Sequence, residues 1–299
     1  MSKIFEAIQK GSGGAADILP ALLKGQPAPV KRSAPRDTDP EDIPSAPSAP
    51  APVNFSLGAA MDAPERVVSL QIENGAPVLI FDQPKNRAGE QYRILRTKIL
   101  HHPANPKTIL VSSPGPGDGK TVTAINLAGA LSLKVEAKVL LVDSDFRRSS
   151  IHKELGLPKE PGLTDVLVGS VRLADAVVRT QPYSNLYVLT AGSTKLNPAE
   201  LLDSPVWQSL LEKLRKEFQF IVLDSPPIAA VADYLLLQAA CDGVVLVLRP
   251  DHTDRKVCQA TLQTIPANKN LGVVMNWVPD WFLGGSSKTG YYYYAHSDS

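Results

Sequence analysis

The sequence predicts an α/β fold in which helices cover both faces of a doubly wound, mostly parallel β-sheet. Six short apolar runs alternate along the chain with segments of helical periodicity. The runs are rich in β-branched residues and lack alternating polar positions, which indicates strands buried on both faces. The globular composition that such a fold requires begins at about Val67.

The first helix and the strands can be read from spacing and run length. A helix is expected over Asn86–His102, because Tyr92, Leu95 and Ile99 share one face at positions i, i+3 and i+7. The six apolar runs predict strands at Thr108–Ser112, Lys138–Val142, Leu186–Leu189, Phe220–Leu223, Val244–Leu248 and Gly272–Met275.

Two further helices are expected between these strands, over Thr121–Leu133 and Ser204–Phe218. The second begins with Ser204 as N-cap and Pro205 at the first helical position, which are favoured residue types there. Strands joined by helices in this way form parallel pairs.

Composition excludes several classes of protein. The 299 residues include 31 Lys and Arg against 30 Asp and Glu, a net charge of +1, so we expect no nucleic-acid partner. The two cysteines exclude a disulfide scaffold and favour a reducing cytoplasm. No apolar run approaches the roughly 18–20 residues that span a bilayer. The first 14 residues lack the apolar core of a signal peptide.

Four regions are expected along the chain. Residues 1–14 contain a short amphipathic docking helix for a partner or a membrane surface, with Ile4, Phe5 and Ile8 on one face; the alternative is a frayed terminus. Residues 15–66 form a disordered Pro/Ala-rich linker, since eight of the 26 prolines fall between Pro27 and Pro52. Residues 67–283 form the folded domain, and residues 284–299 form a flexible tail rich in tyrosine.

A phosphate-binding loop follows the first predicted strand. The segment Pro114–Thr121 (PGPGDGKT) lies between a strand and a helix, as a P-loop requires. Lys120 is expected to reach the β- and γ-phosphates, and the Thr121 hydroxyl to bind Mg²⁺. Pro114 stands where the P-loop pattern has its first glycine, and the alternative is a Gly/Pro turn. The expected nucleotide-binding residues here are Gly115, Gly117, Asp118, Gly119, Lys120, Thr121 and Val122.

Three carboxylates lie at or just beyond strand ends. Asp143 and Asp145 follow one strand and Asp224 follows another, so all three should meet the loop at the carboxyl edge of the sheet. The alternative for each is a helix N-cap. Arg147 and Arg148 follow closely; they contact phosphate or a neighbouring subunit's acid, or they form a solvated surface pair.

These residues carry a family pattern. The chain resembles the bacterial tyrosine autokinases (BY-kinases) of capsular and exopolysaccharide biosynthesis over about residues 86–294. The matching segments are PGPGDGKT, the Walker A′-like VLLVDSDFRRSSIHKELGL, the Walker B-like FIVLDSPPI, AGSTKLNPAELL and VVMNWV. Their order and the D-S-P-P segment are typical of the wider deviant-Walker ATPase class, so the expected fold is P-loop NTPase-like.

The resemblance implies an ATP- and Mg²⁺-dependent protein-tyrosine kinase. Its catalytic residues would be Lys120, Asp143, Asp145 and Asp224. Thr121, Asp145 and Asp224 would hold the metal, and Asp143 would orient or deprotonate the tyrosine hydroxyl. Asn276 matches the position that contacts adenine in this ATPase class, and the alternative is a structural cap.

Two further motifs favour the kinase within that class. Glu90, Arg93 and Arg96 match an E-x₂-R-x₂-R motif that forms a subunit interface in the family; the alternative is an ion pair between Glu90 and Arg93 within the helix. Four of the eight tyrosines stand together in the last nine residues and would be the autophosphorylation sites; the alternative is a β-prone tail. These acceptors are Tyr291, Tyr292, Tyr293 and Tyr294.

The resemblance also implies partners. We expect a ring-like homo-oligomer, a separate membrane chain-length regulator that activates the kinase in trans, and a cognate tyrosine phosphatase. The enzyme would be cytoplasmic and held at the inner face of the plasma membrane through its partner. Two alternatives share the nucleotide site: a partitioning or positioning ATPase switch without a protein acceptor, and a non-enzymatic ATP-binding scaffold.

Overall fold

A computed structural model describes residues 66–73, 76–79, 86–134, 136–193, 196–228 and 232–278. The docking helix expected within residues 1–14 and the tail expected over 284–299 lie outside the described residues. So does the linker expected over 15–66, except for its last residue. No helix within the described ranges is long and apolar enough to cross a membrane.

The core of the described domain is one eight-stranded sheet. Its strands are β1 (Arg66–Ser69), β2 (Thr108–Ser112), β3 (Val139–Asp143), β4 (Val178–Gln181), β5 (Leu186–Leu189), β6 (Phe220–Asp224), β7 (Gly243–Leu248) and β8 (Asn270–Met275). They are ordered β1-β4-β5-β3-β6-β2-β7-β8. Every pair of neighbours is parallel except β4 and β5, which are antiparallel.

Nine helices are described between these strands. They are α1 (Arg87–Leu100), α2 (Lys120–Ser132), α3 (Ile151–Glu154), α4 (Leu163–Leu167), α5 (Leu173–Ala176), α6 (Pro198–Leu202), α7 (Pro205–Glu217), α8 (Asp233–Ala240) and α9 (Arg255–Thr264). A 3₁₀ turn at Ala267–Lys269 precedes β8. The capping side chains match their positions: Asn86 accepts the Gly89 N–H at the start of α1, and Ser204 accepts the Trp207 N–H at the start of α7.

The two faces of the sheet bury separate apolar cores. In β2, Ile109 and Val111 pack with α1 and α2, whereas Leu110 faces the core that contains α7 and α8. This division follows from the period of two along a strand, which sends successive side chains to opposite faces. Strands β2, β3 and β6 are buried along their whole length. The doubly wound, mostly parallel fold expected from the sequence is therefore confirmed.

Two strands were not expected. β1 and β4 lie together beyond β5, and the exposure of their side chains alternates along the strand instead of being uniformly low. Four residues are too few for such alternation to stand out in a sequence. The six expected strands and three expected helices are all present, with ends that differ by at most two residues.

Candidate active site

The predicted site residues meet at the carboxyl edge of the sheet. β3 and β6 are neighbours, and Asp143 and Asp224 occupy the same register position at their ends. β2 lies on the other side of β6, so the loop that follows it is adjacent to both carboxylates. The topology thus brings together Asp143 and Asp224, which lie about 80 residues apart in the sequence.

The phosphate loop has the backbone of an anion site. Gly117 and Gly119 adopt φ values of +85° and +90°, a left-handed conformation that residues with a Cβ rarely adopt. A Cβ on Gly119 would also collide with the side-chain amide of Asn276. Among the described residues, nothing accepts a hydrogen bond from the five consecutive amides at positions 117–121. These donors lie at the N-terminus of α2, where the helix dipole also favours an anion.

Lys120, in the phosphate loop, forms an ion pair with Asp145. Its Nζ lies 3.1 Å from Oδ2 of Asp145, and both side chains are largely buried. The other oxygen of Asp145 accepts the backbone N–H of Arg148 at 3.0 Å. Asp145 therefore has a positioning contact on each oxygen, and its predicted metal role stays a prediction.

Thr121 and Asp224 form a second contact between the loop and the sheet. The Thr121 hydroxyl donates to Oδ2 of Asp224 at 2.7 Å, while Oδ1 of the same buried carboxylate accepts no hydrogen bond from the described residues. Ser150 adds a third member by donating its hydroxyl to Oγ1 of Thr121 at 3.2 Å. The side chains predicted to bind Mg²⁺ thus present a free carboxylate oxygen beside a hydroxyl.

Asp143 is held by backbone groups. Its Oδ2 accepts the N–H groups of Ser150 and Ile151, each at 3.1 Å, and its Oδ1 is buried without a hydrogen-bond partner among the described residues. The sequence did not single out Ser150, which joins Asp143 to Thr121. The only signal was its place within the quoted Walker A′-like segment, and spacing alone does not identify it.

Burial and the charges of neighbouring carboxylates shift both strand-end carboxyls toward the protonated form. Burial, followed by the charge of Asp224, raises the pKa of Asp143 to about 8. Burial also raises the pKa of Asp224 to about 6, against the opposing effect of Lys120. A site that crowds carboxylates in this way is suited to a cation, which would restore their charged forms.

This repulsion predicts that Asp143→Asn stabilises the metal-free chain. A raised folded-state pKa means that the stability supplied by the protonated carboxyl is present at low pH and is lost as the pH rises toward about 8. Asparagine stays neutral and can still accept both backbone N–H groups. Thermal melts in EDTA should show a Tm gain of about 2–4 °C at pH 8.5, typical of about 1 kcal/mol in a domain of this size. An equal gain at pH 5 would show that charge is not the cause.

The outer side of the phosphate loop is held from β7 and β8. Asn276 donates its side-chain amide to the Asp118 carbonyl at 3.0 Å, so the structure gives this residue the structural contact that was left as its alternative. Its contact with adenine stays a prediction. Thr253, His252 and Arg249, from the segment after β7, also contact the loop. The sequence did not indicate these three residues.

The loop keeps its turn with proline at its first position. Pro114 is buried, and the Ser113 hydroxyl donates to the Gly115 carbonyl at 2.6 Å across it. Proline is thus accommodated at this position in a loop whose later glycines, Gly117 and Gly119, have left-handed φ values. Val122, the last residue expected to bind nucleotide, lies in the first turn of α2 and is partly buried against the core.

Arg147 has a partner within its own chain. Its guanidinium binds Asp233 at the start of α8 through two hydrogen bonds, of 2.8 and 3.3 Å. This pair joins the segment after Asp145 to α8, so the acid that Arg147 meets lies in its own chain, while a contact with phosphate stays a prediction. Arg148 is exposed beside it.

The expected interface motif lies on α1. Glu90 and Arg93 form the ion pair within the helix that was the alternative for them, at 2.7 Å. Arg96 extends to α2, where its guanidinium lies 3.5 Å from the Ala130 carbonyl. The motif's role between subunits stays a prediction. The four tail tyrosines, Tyr291–Tyr294, lie outside the described residues.

Comparison with known proteins agrees with this geometry. A family model described as an AAA domain matches residues 106–271. The tyrosine-protein kinase YwqD of Bacillus subtilis is 34% identical over 219 residues, covering 72% of this chain and 90% of YwqD. The putative tyrosine-protein kinase CapB of Staphylococcus aureus is 30% identical over 227 residues, covering 75% of this chain and 96% of CapB.

Solved structures give the same result. The chimerical protein CapA2B2 superposes with a TM-score of 0.64 at 31% identity, covering 71% of this chain and 93% of its own. The kinase domain of the Escherichia coli tyrosine kinase ETK superposes with a TM-score of 0.60 at 27% identity, covering 66% and 78%. The chain belongs to the family of bacterial tyrosine-protein kinases, and its activity is that of a protein-tyrosine kinase.

Proposed function

We propose that this kinase uses ATP and Mg²⁺ to phosphorylate tyrosines 291–294 in the tail of a neighbouring copy, and that this regulates the synthesis and export of a capsular polysaccharide or exopolysaccharide. One observation carries the nucleotide assignment: five consecutive loop amides have no partner among the described residues, and they lie beside Lys120 and a buried group of carboxylates. Family membership supports the choice of tyrosine as acceptor.

The phosphates of ATP fit the loop by charge and by geometry. The five amides and the dipole of α2 would bind the phosphate oxygens, and Lys120 would supply a full positive charge near the transferred group. Gly117 and Gly119 allow close approach because they carry no Cβ at a left-handed position. Phosphoryl transfer needs mainly positioning and charge stabilisation, which these groups provide.

The side chains also fit Mg²⁺. This ion prefers oxygen ligands, uses few from the protein, and takes the rest from water and phosphate. Thr121 Oγ1 and the free oxygen of Asp224 would supply the protein ligands. Asp145 would support the site indirectly, through its ion pair with Lys120. Because Mg²⁺ takes few ligands from the protein, a site shared with the phosphates fits the Thr121 and Asp224 oxygens. Bound there, the ion would balance charge on the phosphates.

Asp143 is the proposed base. A tyrosine hydroxyl has a pKa near 10 and needs a proton acceptor when its oxygen attacks the γ-phosphorus. The free oxygen of Asp143 would take that proton while the bond to the leaving ADP oxygen breaks. Ser150 and Ile151 fix the other oxygen and so keep the carboxylate aimed.

A ring of copies, contacting through Glu90, Arg93 and Arg96, would place each tail at a neighbour's cleft. Glu90 and the guanidinium of Arg93 lie at the surface of α1, where a neighbour could exchange with their present ion pair. A membrane chain-length regulator would activate the kinase in trans and hold it at the inner face of the plasma membrane, and a cognate phosphatase would reset it. Each phosphate adds a charge of about −1.5 to −2. Repulsion between phosphorylated tails would therefore favour dissociation of the ring.

The rival function, an ATPase switch of the same fold, would use the same loop and carboxylates. A non-enzymatic scaffold would bind ATP without transferring phosphate. Family membership favours the kinase over both, and we place no nucleic acid among its partners.

Intact-mass analysis of the full chain, purified with and without phosphatase treatment, tests the proposal. A kinase that modifies its own tail should show a ladder of about 80 Da steps, up to four, that phosphatase removes. A single unmodified mass after incubation with Mg-ATP, with ATP hydrolysed, would favour the switch instead.

A further inference from the structure

The phosphate loop contains one carboxylate of its own, which belongs to Asp118. Asp118 lies between the two left-handed glycines, and its side chain is buried, with the residue only 1% exposed. One oxygen accepts the Gly115 N–H at 3.2 Å, and the other accepts the Thr253 hydroxyl. None of the amides at positions 117–121 donates to it. Both of its oxygens are therefore occupied by donors outside the run of amides that faces the phosphates.

This arrangement keeps the Asp118 carboxylate from competing with the nucleotide. A carboxylate in a phosphate loop carries the same charge as the nucleotide and can accept the same N–H donors. If one of its oxygens lost its partner, a buried acceptor would be left unsatisfied, which is costly. The amides at positions 117–121 are the nearest donors along the chain. The carboxylate would then compete with the phosphates for them.

Thr253 lies in the segment after β7, which contacts the phosphate loop and can prevent this competition. Its own N–H donates to the Arg249 carbonyl at 3.0 Å, and Arg249 donates to the Gly117 carbonyl at 3.4 Å. His252 lies 3.1 Å from the Pro116 carbonyl. The segment after β7 therefore contacts three successive loop residues, 116–118, and at Asp118 it is a carboxylate of the loop itself that accepts the hydrogen bond.

We infer that Thr253 is a positioning residue for nucleotide binding: its hydroxyl holds the Asp118 carboxylate away from the loop amides at positions 117–121 and so keeps those amides free for phosphate. The inference rests on the proposed ATP site and adds a residue to it. Removing the hydroxyl turns Asp118 into an internal competitor of the nucleotide.

Calorimetric titration of the full chain with Mg-ADP tests the inference. Thr253→Val should weaken binding about tenfold, the effect expected of one lost hydrogen bond to a charged group. Thr253→Ser keeps a hydroxyl and should bind as the wild type does. Thr264→Val is the matched control, because Thr264 lies on the helix that follows and its hydroxyl donates, within the described part of the chain, only to the Thr261 carbonyl of that helix.

The charge of Asp118 separates positioning from simple structural support. In an Asp118→Asn background the neutral amide competes weakly for the loop N–H groups, so Thr253→Val should then cost less than threefold. The same tenfold cost in both backgrounds would overturn the inference, and so would wild-type affinity in Thr253→Val or weak binding in Thr253→Ser. A wild-type chain that binds no Mg-ADP would overturn the proposed function itself.

Discussion

Lys120→Met is expected to abolish phosphotyrosine formation while the domain remains folded. The lysine supplies the positive charge at the loop, and it packs in a largely buried ion pair with Asp145. Methionine has a similar length and an apolar stem, so packing changes little, but the transferred phosphate loses its cation. Loss of one such electrostatic contact typically costs a factor of about 10²–10³ in rate, so the signal on an anti-phosphotyrosine blot should fall below detection.

Stability must be followed in the same experiment. Removing Lys120 leaves the buried Asp145 with the Arg148 N–H as its only partner among the described residues, and a buried charge without its counter-ion destabilises a fold. Lys120→Arg is the matched control, because it keeps a cation beside Asp145 while its planar guanidinium cannot replace the ammonium in a tight loop. Both variants should be inactive, and Lys120→Arg should melt closer to the wild type. Undiminished phosphotyrosine in a folded Lys120→Met chain would contradict the P-loop assignment.

Site residues at strand ends could be predicted from the sequence, whereas residues on irregular loops could not. Asp143 and Asp224 were predictable because an apolar run shows where a strand ends, and parallel strands end at a common edge. Ser150 and Thr253 were not predictable. Their contacts join Ser150 to a loop 29 residues away and Thr253 to one 135 residues away, through loops whose paths no periodicity encodes.

The same limit applies to Arg147, for which the sequence left three interpretations open. Its partner Asp233 lies 86 residues later in the chain, and no local pattern in the sequence encodes that contact. The fold was better predicted than the site because buried strands and amphipathic helices are local patterns. β1 and β4, which are short and alternate in exposure, lacked such a pattern. Six of the nine described helices, α3–α6, α8 and α9, were also not expected from the sequence.

Replacing the four tail tyrosines, 291–294, with phenylalanine is expected to remove nearly all phosphotyrosine and to leave nucleotide affinity unchanged. The four tyrosines elsewhere in the chain are poor acceptors for a physical reason. Tyr92, Tyr187 and Tyr234 are buried, and a buried hydroxyl cannot enter a neighbour's cleft. Tyr183 is half-buried, so Tyr183→Phe is the matched control and should keep the full signal. Mapping by tandem mass spectrometry gives the site count directly.

A mixture of two inactive variants then decides between cis and trans transfer. The tail variant has an intact cleft and no acceptor, whereas Lys120→Met has the acceptor and a disabled cleft. If copies phosphorylate one another, phosphate should appear on the tail of the Lys120→Met chain in the mixture and in neither variant alone. A mixture that stays unmodified, with mixed assemblies detected by native mass spectrometry, would show that each tail serves its own cleft. Abundant phosphotyrosine on the tail variant alone would mean that the acceptor lies outside residues 291–294.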